Sequence, residues 1–297
     1  MNLLIEAKHK SSYKRSMANV LDTSKRAQIL NMLVEGMSMR SVSRIAGVSI
    51  NTVSKLLIAA GNACAEYHDN TVRGVASERV QCDEIWSFVG AKQKNVKTMK
   101  APIDGAGDVW TWTAIDADSK LIITYLVGGR DGRYAAEFMG DVAARLANRV
   151  QLTTDGHKAY LEAVEGAFGA DVDYAQLVKI YGKAPEGKTV RYSPADCTGI
   201  KKIPVEGDPD EKHINTSYVE RMNLNIRMGN RRFTRLTKAF SKKVDNHLHM
   251  LSLYFVHYNF CRAHKSLRVS PAMAAGVTET LRDMAWVIGL VDARAPN

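Results

Sequence analysis

The order in which two hydrophobic periods alternate along the chain constrains its fold more than any other feature. Three runs, QCDEIWSFVG (81–90), VWTWTAID (109–116) and KLIITYLV (120–127), are rich in aromatic and β-branched residues and read as strands. Ala117, Asp118 and Ser119 form a hairpin turn between the last two. Helical spacing takes over at 131–148, where Ala135, Phe138, Met139, Val142 and Leu146 share one stripe. A short strand, QLTTD (151–155), a helix from His157 to Phe168 and a strand at 172–182 follow. Three strands, a helix, a strand, a helix and a strand predict an α/β fold with a mixed sheet; with a strand order of 3-2-1-4-5, strands one and four would be neighbours. Residues 183–213 show no period and read as a long loop. Helices are expected near 216–228 and over 245–262, the second with Leu248, Leu251, Phe255 and Tyr258 on one face.

Ahead of this block, residues 23–61 read as three helices. Thr23, Ser38 and Ser49 are placed to cap them, and Gly36 ends the first. The expected inner positions are Ile29, Leu30, Leu33 and Val34, then Val42 and Ile45, then Val53, Leu56 and Leu57. Gly47 makes a tight turn between the second and third. A short helix, a Gly turn and a polar-fronted helix form the helix-turn-helix pattern, which would present Ile50, Asn51, Thr52, Ser54 and Lys55 to a major groove. A plain three-helix bundle is the alternative. The expected division is a basic tail (1–16), a helix-turn-helix domain (17–62), a linker (63–78), a catalytic core (79–243) and a helical C-terminal segment (244–297). Met17 is a possible alternative start.

Charge sorts along this division. The chain carries +10 overall, with 10 basic and 5 acidic side chains in 1–75. Residues 221–243 hold 8 basic and no acidic side chains, whereas 76–220 have a net charge of −4. An acidic centre between two basic segments suits a metal site flanked by polyanion-binding surfaces. No apolar run approaches the roughly 18 residues that span a bilayer, and no signal peptide is evident, so a cytoplasmic protein without membrane contact is expected. Cys64, Cys82, Cys197 and Cys261 are scattered, with no C-x-x-C pair to suggest zinc or a disulfide framework.

Three carboxylates stand out. Asp83 lies inside the first strand; in a central strand its burial demands a partner or a metal, and in an edge strand it is simply solvated. Glu84 points to the opposite face and is the weaker candidate. Asp155 ends the fourth strand, where ligands bind in α/β sheets, although Asp before Gly also caps helices. Glu220 completes a capping-box pattern with Ser217, but with Asn223 and Arg227 it also forms a polar line expected to face outward. Neighbouring strands one and four would bring Asp83 and Asp155 together, with the helix of Glu220 over them. Two Mg²⁺ ions, about 3.5–4 Å apart, could then act on a phosphodiester.

The blocks CDEIWSFVG, TTDGHKAY and NTSYVERMNLNIRMGNRRFTRLTKAFSKK resemble the transposases of the insertion sequence one family. YNFCRAHKSLRVSPAMAAG resembles a tail motif shared by many bacterial insertion-sequence transposases, and together the likeness covers about residues 20–276. The resemblance implies a ribonuclease H-like core and DDE chemistry, with Asp83, Asp155 and Glu220 as the catalytic, metal-binding triad. It also implies Mg²⁺ (with Mn²⁺ able to substitute), binding of terminal inverted repeats and target DNA, and strand cleavage followed by joining. Joining two ends calls for at least a dimer. The cysteine zinc motif of many family members is missing here. Besides the third helix of the head, the residues expected on DNA are Asn223, Arg227, Arg231, Arg232, Arg235, Lys238, Lys242 and Lys243, with Phe233 and Phe240 anchoring the basic run to the core. A nuclease that cuts without joining and a non-catalytic regulator are the rival readings.

Overall fold

The computed structural model describes residues 21–101, 103–182, 196–234 and 237–294. The expected basic tail, Met17 and Arg235 lie outside these residues. A six-stranded mixed sheet forms the centre: β1 (Arg79–Val89), β2 (Gly107–Asp116), β3 (Ile122–Gly128), β4 (Gln151–Asp155), β5 (Asp173–Tyr181) and β6 (Cys197–Glu206). Its order is β3-β2-β1-β4-β5-β6. β1 runs antiparallel to β2 and parallel to β4, and β5 is parallel to β4. β6, antiparallel to β5, occupies part of the segment expected to be a loop. It is an edge strand carrying Lys201, Lys202 and Pro204, largely open to solvent, so it shows no apolar alternation.

Ten helices surround the sheet among the described residues: α1 (Thr23–Val34), α2 (Met39–Ala46), α3 (Ile50–Thr71), α4 (Gln93–Val96), α5 (Gly132–Arg145), α6 (Ala159–Phe168), α7 (Ser217–Gly229), α8 (Val244–Val256), α9 (Pro271–Ala274) and α10 (Met284–Arg294). Alternation along β1 divides the core into two layers. Val80 and Cys82 face α5 and α6 with Trp112, Phe138 and Tyr160. Ile85 faces the other side, with residues of α3, α7, α8 and α10.

The N-terminal helices belong to that second layer. Asp22, rather than Thr23, caps α1 by accepting from Lys25 N (2.7 Å). α2 and α3 meet at 113° across Gly47–Ser49, with Ser38 and Ser49 as caps. Ile45, expected inside, is 58% exposed; Ala46 packs with Val42 one turn earlier instead.

α3 continues as helix to Thr71, through much of the expected linker, because Ala63, Cys64 and His68 are buried. His68 Nε2 donates to the Ile122 carbonyl (3.1 Å). Asn259, in a π-helical turn after α8 (His257–Cys261), accepts from Ile122 N (3.0 Å) and donates to Ile122 O (2.9 Å). These bonds satisfy the open edge of β3. α8 crosses α3 at Gly61, where a Cβ would lie 2.4 Å from the His249 Cβ.

Two outcomes are expected. In an ordinary helix Gly→Ala gains roughly 1 kcal/mol; here Gly61→Ala should cost about 1–3 kcal/mol in denaturant unfolding, because α8 has to move. Unchanged or increased stability would contradict the crossing. Burial also pushes His68 and His257 down to about 4 and His247 to about 3. All three stay neutral in the fold while the unfolded chain takes up protons below about 6.5. Their contribution to stability should be full above that pH and be lost as the pH drops from there toward 4. Asp83 and Glu84, held high in the fold, act in the opposite sense, so the test is made in an Asp83→Asn, Glu84→Gln background, where a melting temperature flat across that window would contradict it.

Candidate active site

The β1–β4 ladder pairs Arg79 with Gln151 and ends on Cys82 and Thr154. One step further, Asp83 comes beside Asp155. Both line an open cleft of about 380 Å³ together with Glu220, Thr216 and Lys179. The three carboxylates read from the sequence therefore share one cavity. Asp83 is half-buried in a central strand, so the edge-strand alternative does not apply. Its Oδ2 accepts from Asn223 Nδ2 (2.8 Å) and its Oδ1 from Glu84 N (2.8 Å). Asp155 Oδ1 accepts from His157 N (2.9 Å), closing a turn rather than capping α6, which has no side-chain cap. Glu220 accepts from the Thr216 hydroxyl and the Lys179 ammonium.

α7, which carries Glu220, is seated by β1. Gln81, two residues before Asp83 and on the same face, is 2% exposed. Its Oε1 accepts from Tyr218 N (2.9 Å) and Val219 N (3.2 Å), and its Nε2 donates to Asn215 Oδ1 (2.8 Å). A strand side chain thus satisfies the first free amides of the helix, and Glu220 points into the cleft. Asn223 is 5% exposed and holds Asp83. The polar line of α7 starts by facing the sheet, not outward, and Asn223 has no surface to offer DNA. Its amide is taken up by the Asp83 carboxylate instead.

Glu84 and Arg130 are the residues that sequence reasoning undervalued or missed. Glu84 does point to the other side of β1, and its side chain is 1% exposed. Asp155 sits at the end of its strand, however, and reaches around it. Ligand oxygens of Asp83, Glu84 and Asp155 consequently lie within 4.8 Å of one another. Arg130, just beyond β3, approaches Glu84 Oε2 (3.3 Å) and Asp155 Oδ2 (3.5 Å) and stacks over Trp110 (4.8 Å). No sequence pattern marked it. β2 and β1 lie between β3 and β4 in the sheet, so the contact depends on where the loop after β3 runs and has no local sequence signal.

Burial, then the charge of Asp155, pushes Asp83 up to about 7 and Glu84 up to about 8. Among the described residues Asn223 Oδ1 is buried without a hydrogen-bond partner, and the Glu84 carboxylate has only Tyr160 and Arg130 to offset its charge. An all-oxygen set with excess negative charge and an unsatisfied oxygen fits a hard divalent cation.

The expected DNA contacts divide into two groups. Asn51 and Lys55 are exposed at the start of α3, with Thr52 and Ser54 half-buried beside them. The basic run is strapped to the core: Phe233 is buried against the His247 ring (4.9 Å), Phe240 lies on Phe88 (4.8 Å), and Gly90 N donates to Ser241 O (2.8 Å). Arg231, Lys238 and Lys242 line a cavity of about 540 Å³ between this strap and α2–α3. Arg232 turns inward to Ser241 Oγ (2.9 Å), Lys243 is exposed and Arg227 is half-buried.

No family model matches the chain, and no curated protein matches it. Among solved structures it is similar to a pre-cleavage Mos1 transpososome (12% identity, 53% of this chain and 60% of that chain, TM-score 0.20). It is also similar to the Mos1 strand transfer complex (14%, 53% and 59%, TM-score 0.22) and to a Mos1 transposase paired-end complex with left transposon end (15%, 50% and 58%, TM-score 0.19). The chain spans about 60% of the length of the first of these.

Proposed function

We propose that the chain is a DDE-type DNA transposase that cuts and joins DNA at the cleft of Asp83, Asp155 and Glu220. One observation carries the reading: three carboxylates, spaced 72 and 65 residues apart in sequence, line a single open cleft. The six-stranded mixed sheet is consistent with a ribonuclease H-like core. Three of the sequence blocks that resemble insertion-sequence transposases supply Asp83, Asp155 and Glu220 to the cleft.

Asp83, Asp155 and Glu220 would hold divalent cations, Mg²⁺ or Mn²⁺ by their oxygen ligands, which when bound would supply positive charge at the attacking and leaving oxygens of a phosphodiester. Asn223 fixes the Asp83 carboxylate, and Gln81 holds the helix that aims Glu220. Lys179, bound to Glu220, keeps a positive charge at the mouth of the cleft, where a substrate phosphate enters. Arg130 ties Glu84 to the Asp155 side. Water is the first nucleophile and a DNA 3′ hydroxyl the second, with no covalent enzyme intermediate. The first turn of α3 reads the terminal inverted repeats, and the basic strap holds backbone phosphates. Two ends joined at once call for at least a dimer.

With Mg²⁺ and a labelled duplex bearing the element's terminal repeat, the wild type should cleave and join. Asp155→Asn should bind the duplex yet lose at least about a hundredfold in rate, the scale of removing one charge stabiliser. Cleavage without joining would make the protein a nuclease; binding without Mg²⁺-dependent cleavage would make it a regulator. In parallel, Asn51→Ala with Lys55→Ala should weaken repeat binding by about 1–3 kcal/mol for each base no longer read and leave binding to generic duplex nearly unchanged. Equal weakening on both duplexes would remove sequence reading from α3.

A further inference from the structure

α7 borders a second cleft, which none of the roles above uses. It measures about 430 Å³ and lies between α7, the β2–β3 turn and the loop after the π-helical turn. Its chemistry is the reverse of the carboxylate cleft. Lys120, Arg221, Arg262 and Lys265 line it with His264 and Tyr218, and no Asp or Glu does. Among the described residues, none of these four cations has a carboxylate within ion-pair distance. Some arginines elsewhere are matched: Arg145 meets Asp69 (2.5 Å) and Asp141 (2.8 Å), and Arg149 meets Asp173 (2.8 Å).

The cations come from three separate elements and converge. Lys120 sits in the left-handed region (φ 63°), where glycine is the easier residue, and its ammonium lies 3.3 Å from the Tyr218 ring centroid. Burial, then the charges of Lys120 and Arg262, lowers His264 below its ordinary value, so two cations act on one imidazole. Arg221, Arg262 and Lys265 are exposed. Lys120 also donates to the Ala117 carbonyl, but four positive charges with no carboxylate partner among the described residues repel each other around one concavity, and a polyanion there relieves the repulsion.

We propose that this cleft binds the phosphodiester backbone of duplex DNA running past the carboxylate cleft, an inference that rests on the transposase reading above. α7 is the ridge between the two: Thr216 and Glu220 line one side, and Tyr218, Arg221 and Asn225 the other. A duplex lying across this 13-residue helix meets both. Cations spread over three elements suit a polymer with one charge per phosphate better than a single small anion. The tail segment 258–265 thereby has two tasks: Asn259 clamps β3, and Arg262, His264 and Lys265 face the phosphates.

The test is the salt dependence of binding to a labelled generic duplex in chelator, where no strand is cut. Arg262→Ala with Lys265→Ala should make the slope of log K against log salt shallower by about 1.8, which is 0.9 for each phosphate no longer neutralised. Lys265→Gln alone should remove about 0.9 and serves if the double variant melts early. Wild-type slopes in both basic variants, in a protein that still cuts DNA, would overturn this site and leave the transposase reading standing. Thermal stabilisation by inorganic phosphate that the variants lose, with duplex slopes unchanged, would assign the cleft to a small anion and overturn it equally. A wild type that binds no duplex would overturn both readings.

Discussion

Gathering Asp83, Glu84 and Asp155 within a few ångströms is unfavourable twice, because it takes carboxylates out of water and sets like charges against each other. Much of the surrounding structure offsets that cost. Asn223 and the Glu84 amide bond to Asp83, the His157 amide bonds to Asp155, and Arg130 lies between Glu84 and Asp155. Compensation is incomplete: Asp83 and Glu84 both stay well above the ordinary carboxylate range. A site with no chemistry to perform gains nothing from this arrangement, since apolar residues of similar size at these positions remove the repulsion.

Much of the fold was legible in the sequence because it follows from two periods and their order. The five strands and the helices between them needed only the switch from period 2 to period 3.6, and the approach of Asp83 to Asp155 followed from the strand order. What stayed illegible depends on contacts between distant segments. β6 carries lysines and a proline on an open edge and has no apolar period to detect. The second half of α3 read as a linker because its buried residues, Ala63, Cys64 and His68, are small or polar; they are buried by α8 and β3, not by their own pattern. Ser217 and Glu220 have the spacing of a capping box, but Gln81, 137 residues before Tyr218, fills that role.

Glu84 shows where a local rule fails. Alternation places it opposite Asp83, correctly, and on that ground it looked uninvolved. The rule holds for residues flanked by strands on both sides. Asp155 is the last residue of β4, still paired with Leu177 of β5 but one step beyond the β1–β4 ladder, so on the β1 side its carboxylate comes near groups of both faces. Strand ends are where a sheet stops insulating its faces, and this is the physical reason α/β proteins place reactive groups there.

The same logic joins the site to the head. At 1.5 Å per residue the 22 residues of α3 span about 33 Å. Its first turn presents Asn51 and Lys55, its middle is locked to α8 at Gly61, and its last turns reach the Ile122 carbonyl through His68. A flexible linker would let the head search DNA independently of the cleft. A continuous helix packed along its length sets the distance and direction between them instead. On the transposase reading, the spacing between the bases contacted by α3 and the phosphate that is cut is therefore held by helix rise and the α3–α8 crossing, and a change at that crossing moves the cleavage position rather than only weakening the fold.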